Sequence, residues 1–349
     1  MTLKGFIMKQ WIFLVVLGCA VSITAQTPNS AVLVGAVGTM QGGYHLNPNK
    51  QSDDQVGFNE LELTIQGKVY PDVDATLIVA IHPEDGEFAT EVENGFVEFS
   101  SLMDGVGTSI GRQFVPFGKQ NKLHPEQQAM IDRPAVVSQF FGAENLAADG
   151  IALNAILPLP YFCRLELGHW KNTLAGTPAD LPFSPTGYLS TGRLWSSVEL
   201  SDSAEAELGF SGLQGFGPEY ATQRDDATII GTDLTFRQFL GSKSRIMVQG
   251  ELIQLNRNVD GISAARSGGF LLANYRTETG FEIGVRYDHS ERADIGDPAL
   301  DRRLSLNLMQ KFSETYFGRV EYIHDLETDS PAIYGQLVFN LGSHTHALQ

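Results

Sequence analysis

The feature that most constrains this chain is an alternation of apolar and polar side chains with a period of two, repeated from segment to segment. In FNELELTIQGKVY, Leu61, Leu63, Ile65 and Val69 share one parity, and Glu60, Glu62, Thr64, Gln66 and Lys68 the other. In FEIGVRYDHS, Phe281, Ile283, Val285 and Tyr287 oppose Glu282, Arg286 and Asp288; in RLSLNLMQKF, Leu304, Leu306 and Leu308 oppose Arg303, Ser305 and Asn307. Successive side chains of a strand point to opposite faces, so this pattern reads as strands with one apolar and one charged face. Two stretches are less clean: Gly111 to Phe117 and Gly269 to Arg276 carry apolar residues on both faces.

The pattern predicts about sixteen strands. They start near Ala31, Val56, Val73, Glu91, Val106, Ala148, Tyr161, Thr191, Ser203, Asp226, Lys243, Ser267, Gly280, Ala299, Thr315 and Ala332. Short turns such as Pro71-Asp72, Ser201-Asp202 and Thr277 to Thr279 alternate with connections read as longer, among them Asn47 to Gln55, Pro83 to Thr90, Lys171 to Ser190 and Arg257 to Arg266. An even number of strands, trimmed at one end and elaborated at the other, describes a transmembrane antiparallel β-barrel. A soluble sandwich would alternate as well, but has no reason to segregate loop length by end. Parity alone does not say which face meets lipid. Aromatics beside strand ends (Tyr70, Tyr161, Phe239, Tyr275, Phe281, Phe312, Tyr316 and Phe339) suit the interfacial girdles of a barrel.

The first residues, MTLKGFIMKQWIFLVVLGCAVSITAQ, place Lys4 and Lys9 before an apolar run from Trp11 to Val21 and small residues around Ala25. That is the order of a secretory signal peptide, too short to span a bilayer, with cleavage expected after Ala25. The alternative, a lipobox at Val16-Leu17-Gly18-Cys19, is disfavoured because the apolar run continues to Ile23. The expected layout is therefore a leader over 1–25 and a barrel over 26–349. Cleavage leaves one cysteine, Cys163, and no internal disulfide. The formal charge of −17 becomes −19 without Lys4 and Lys9, which argues against nucleic acid as a partner.

One segment breaks the rhythm. Residues 118–147, the third long connection, carry Leu123, Met130, Ile131, Val136, Val137, Phe140, Phe141 and Leu146, which would not be left in bulk water. Pro125 followed by Glu126, Gln127 and Gln128 suggests a helical turn with proline at its start. The expectation is a segment folded back into the lumen, presenting Lys119, Lys122, His124, Asp132 and Arg133 to a pore.

The strings GRQFVPFGKQN, LHP, IDRP, FFG and ADGIAL resemble the phosphate-selective porin-like group of outer-membrane channels. Within it they look closest to a branch described as zinc-regulated outer-membrane receptors. The resemblance covers best Gly111 to Trp170 and more loosely the whole barrel. It implies passive, substrate-biased diffusion of small hydrophilic solutes or ions across a bacterial outer membrane; the barrel would contact outer-membrane lipid, its wall charges would bias passage, and porins of this size typically form homotrimers, although no segment specifies one. An alternative function it suggests is a part in divalent-metal (zinc) acquisition; a structural or lipid-active barrel is a further one. No cofactor is expected.

The candidate constriction set is Arg112, Lys119, Lys122, His124, Asp132 and Arg133. Inward parity gives a pore wall of Glu60, Glu62, Lys68, Glu98, Arg164, Glu166, Arg193, Arg237, Arg286, Arg303 and Arg319, and also places Glu207, Asp233, Glu251 and Glu321 there. A wall of both signs favours hydrated, dipolar solutes. In the tail over 342–349, His344 and His346 could ligate a metal from one extended face; His124 reads as a pore residue, no second ligand lying at helical or turn spacing. No H-E-x-x-H metalloprotease motif is present and no enzyme is expected. A lipid-active site would need one of His82, His169, His289 or His324 to reach a serine on an outward face.

Overall fold

The computed structural model describes residues 32–46, 56–84, 86–142, 145–171, 188–216, 225–293, 296 and 298–342. Sixteen strands form one closed antiparallel barrel. They are β1 (Val32–His45), β2 (Gly57–Tyr70), β3 (Val73–Glu84), β4 (Glu87–Met103), β5 (Val106–Phe114), β6 (Ala147–Ile156), β7 (Phe162–Lys171) and β8 (Tyr188–Ser201), then β9 (Ala204–Phe216), β10 (Asp225–Phe239), β11 (Arg245–Val259), β12 (Ile262–Arg276), β13 (Phe281–Glu291), β14 (Leu300–Ser313), β15 (Tyr316–Asp325) and β16 (Ser330–Gly342). Each pairs with its sequence neighbours, and β1 closes on β16 from Gly35↔Gly342 to His45↔Ala332, so no strand edge is left open. A single helix, α1 (Ala135–Phe141), and two 3-10 turns, Gln120–Lys122 and Pro125–Gln127, lie between β5 and β6.

Burial settles which face is which. On β13 the burial alternates without a break: Phe281, Ile283, Val285 and Tyr287 are exposed, whereas Glu282, Arg286, Asp288 and Ser290 are buried. The same holds at Leu304 and Leu306 against Ser305 and Asn307. Exposed apolar and buried charged faces invert a soluble sandwich, and suit a wall whose outside meets hydrocarbon. The aromatics expected at strand ends lie at the short-turn end; Tyr70, Tyr161, Phe239, Tyr275, Phe281, Phe312 and Tyr316 are exposed, while Phe339 is half-buried across the pair Gly38↔Phe339.

Two of the connections expected to be long are tight turns. β3 runs to Glu84 and β4 starts at Glu87, and β11 and β12 continue to Val259 and from Ile262. The turn Asp260-Gly261 has positive φ at both residues, 50° and 87°, the backbone of a two-residue hairpin turn that Asp-Gly favours. Polar residues flanking Asp-Gly suggest a loop, but in a wall that is wet on its inner side they continue the ladder. The leader over 1–25 and the tail histidines His344 and His346 lie outside the described residues.

Candidate functional site: the inner wall and the segment between strands five and six

The segment begins where β5 ends. Val115 N–H bonds Leu146 O at 2.9 Å, and the Asn121 side chain joins both ends of the excursion, donating to Val115 O and Leu146 O and accepting from Leu146 N–H. Gly111 and Gly118, the glycines that frame the GRQFVPFG string, both have positive φ, 135° and 57°. A Cβ on Gly111 would lie 2.2 Å from Gly95 O, and one on Gly118 would lie 2.7 Å from Glu251 Oε2. Backbone handedness and close approach thus both require glycine there.

From Gly118 to Arg133 the chain is held by polar groups of many strands. Glu251 of β11 accepts the Lys119 and Gln120 amides at 2.6 and 2.8 Å, and Gly118 N–H donates to Ser211 of β9. Lys119 pairs with Glu207, which also pairs with Arg237. Lys122 reaches both oxygens of Glu166 on β7, at 2.7 and 2.8 Å. Arg319 of β15 donates to Gln128 O and Pro125 O, and Glu321 accepts the Ile131 and Asp132 amides at 2.6 and 2.9 Å. The Asp132 carboxylate sits between Arg286 and Arg303, at 3.3 and 2.8 Å. Charge-assisted bonds of this kind are about twice as strong as neutral ones.

Helix α1 is held differently. Val136, Val137, Phe140 and Phe141 pack in one cluster with Trp170, Leu189, Leu213, Ile229, Ile253, Leu255, Phe270 and Leu272, inner-face residues of β7 to β12. This explains the two-sided apolar pattern of β12: Leu271 is exposed at 59%, while Phe270 and Leu272 are buried beneath the helix. Its first turn is fastened by Asp288, which accepts the Ala135 amide at 3.0 Å.

Of the candidate constriction residues, Lys119, Lys122, His124, Asp132 and Arg133 lie on this segment, whereas Arg112 lies on β5 and bonds Glu91 at 3.1 Å and Val92 O at 2.6 Å. A cavity of about 560 Å³ is lined by Lys119, Lys122 and His124 together with Lys68, Arg164 and Arg193 and, of opposite sign, Asp74, Glu98, Glu166 and Glu207. Arg193 is bound bidentately by Asp233, at 2.5 and 3.0 Å. Burial pushes Lys119 and Lys122 below the usual lysine range, against the opposing pull of Glu207 and Glu166. Burial would also depress His124, but the Glu62 and Glu93 carboxylates outweigh it and hold the imidazole well above the usual histidine range.

No second ligand is expected at helical or turn spacing from His124, and the fold supplies one from far along the chain: Glu62, on a strand 62 residues earlier, lies 3.2 Å from Nδ1. Glu93, which the alternation did not mark, lies 3.5 Å away. The β3–β4 register shifts between Ile78↔Asn94 and Val79↔Val92, leaving Glu93 as the extra residue of a bulge. Bulges re-aim side chains, and parity counting cannot see them. Asp288, on the charged face of β13, and Asp301 bind Arg286 and Arg303.

On the outward face, His169 Nδ1 is 3.1 Å from Ser190 Oγ, and its ring stacks on Tyr188 at 5.4 Å. Among the described residues no third polar side chain bonds this imidazole, so no nucleophile-base-orienter arrangement is assembled. The Gly107-Thr108-Ser109-Ile110-Gly111 string has nucleophile-elbow spacing, but it runs along β5 and Ser109 donates to Gln113 at 2.9 Å.

The barrel matches solved outer-membrane proteins. An anion-selective porin from Comamonas acidovorans superposes with a TM-score of 0.60 at 13% identity, over 90% of this chain and 100% of that one. OmpT of Vibrio cholerae, solved in its trimer form, gives 0.60 at 10% identity, over 89% and 99%. An uncharacterized protein of Aquifex aeolicus is 22% identical over 351 residues, 87% of this chain and 72% of that one. No family model matches the chain. The fold is that of the sixteen-stranded outer-membrane porins; nothing in these findings supports the zinc-regulated branch.

Proposed function

We propose that this protein is an outer-membrane porin, a barrel through which small hydrophilic solutes or ions diffuse passively, with the segment 118–147 lying across the lumen and narrowing it. The observation that carries this reading is the set of bonds from one segment to β2, β7, β9, β11, β13, β14 and β15. In a closed barrel only a chain inside the ring reaches strands so far apart around it. The remaining cavity, lined by five Lys or Arg side chains and four carboxylates with His124, gives the passage a modest anion bias. Homotrimer assembly and export through a cleaved leader complete the proposal; the first has its support in the trimer form of the Vibrio cholerae relative in fold.

Single-channel conductance of the folded protein in a planar bilayer, with reversal potential under a salt gradient, tests it. Stepwise openings with a reversal potential of anion-selective sign are expected. A stably inserted but silent barrel would overturn diffusion, and a cation-selective sign would overturn the bias.

A further inference from the structure

Several glutamates gather around one buried histidine of the segment between β5 and β6. Glu62 on β2, His124, and Glu126 each offer one donor atom, and the three lie within 4.8 Å of one another. Glu62 and His124 are 1% and 4% exposed. Glu93, from the β4 bulge, puts Oε2 3.5 Å from His124 Nδ1, and Glu60 stands two residues before Glu62 on the same face of β2. Three carboxylate oxygens thus stand around Nδ1, at 3.1 and 3.2 Å from Glu62 and 3.5 Å from Glu93. One N–H can serve only one of them well. Accordingly Glu62 Oε2 and Glu93 Oε2 are buried and accept no hydrogen bond.

Arg319 does not supply the missing bonds. Arg319 directs its nitrogens to Gln336 Oε1, Gln128 O and Pro125 O, at 2.8, 2.6 and 3.0 Å. Buried acceptors left without a donor are costly, and Glu62 Oε2 and Glu93 Oε2 are two of them.

We propose that Glu62, His124 and Glu126, with Glu93 as a fourth donor, bind a first-row divalent transition cation that fastens the segment between β5 and β6 to β2 and β4. Bonds of 2.0–2.1 Å in tetrahedral geometry set donors about 3.4 Å apart; Nδ1 lies 3.1 to 3.5 Å from the Glu62 and Glu93 oxygens, and the Glu126 donor, within 4.8 Å of Glu62 and His124, would close on the ion by a shift of its side chain. An imidazole nitrogen among carboxylates suits a borderline ion better than calcium or magnesium, which take all-oxygen shells. The donors are pre-positioned, since Gln127 N–H bonds His124 O at 2.9 Å and the Gln127 side chain accepts the His124 amide at 3.0 Å. His124 lines the cavity, which gives an ion a route in from water. The cation site does not depend on conduction and is read without it.

The test uses the full folded barrel in detergent, carrying His344→Ala and His346→Ala so that the tail cannot bind. Zinc titrated by calorimetry should bind at one ion per chain, and Co²⁺ should give the visible absorption of a four- or five-coordinate site. Glu62→Gln and His124→Asn should each weaken binding at least tenfold, since even groups behind the ligands are worth ~10–100-fold. Should either variant lose its folded electrophoretic mobility, Glu126→Gln takes its place. No binding in the tail-free background, equal binding by the variants, or Ca²⁺ bound as tightly as zinc would overturn the proposal.

Discussion

The two halves of the segment between β5 and β6 meet opposite kinds of wall. From Gly118 to Arg133 it runs through two 3-10 turns and is tied by carboxylates and guanidiniums of β7, β9, β11, β13, β14 and β15; from Ala135 to Phe141 it is helical and packs on β12 and β13 as part of an apolar cluster that extends to β7. Apolar packing is non-directional, so it anchors the helix without fixing each atom. The charged half is directional, and Glu251, receiving two consecutive amides, fixes where the backbone runs. A barrel interior can hold both because the inner face is free to be apolar wherever a covering element excludes water.

The comparison is broken most severely by Phe140→Ala. Phe140 is fully buried, and a truncation of this kind costs about 3–5 kcal/mol. Denaturant unfolding in lipid vesicles should show that loss, with noisier and larger channel openings. Glu251→Gln, which keeps an acceptor for the Lys119 and Gln120 amides and removes only the charge assistance, should cost less, about 1–2 kcal/mol. It should raise conductance while leaving the helix packed, which protease protection at Phe140 and Phe141 would report. If Phe140→Ala were the milder change, the ranking of apolar over polar anchoring would be wrong.

The smallest effect lies at the short-turn end, where Glu278 accepts bonds from Ser242, Lys243 and Ser244 of the neighbouring turn. The bonds from Ser244, then Lys243 and Ser242, lower its carboxyl to about 2 from an ordinary 4.5. A depressed folded value means stabilisation that is complete above about 4.5 and lost as pH falls toward about 2. Thermal scans across that window should show a small acid-dependent fall that Glu278→Gln abolishes.

Much of the fold was legible because a strand's period of two survives any loop. Strand starts such as Val73 and Val106 coincide with the structure, and others fall within a few residues. The Asp-Gly turn at Asp260-Gly261 was also readable, but polar flanks on a wet inner face look like loop. Lys119, Lys122, His124 and Asp132 were legible as residues of an odd segment. Their partners were less so: Glu62, Glu166 and Arg286 carry only inward parity, and Glu93 is hidden by a bulge.

By itself the sequence determined that this chain forms two-faced strands, in what number, and which segment departs from them, since side-chain alternation is a local property of the backbone. Only the tertiary structure decided that the charged face is the inner one, that α1 packs on β12 and β13, and that Glu62 and Glu93 stand around His124. Ring closure brings together residues far apart in the chain, and no spacing along a sequence records which strand will lie opposite which loop.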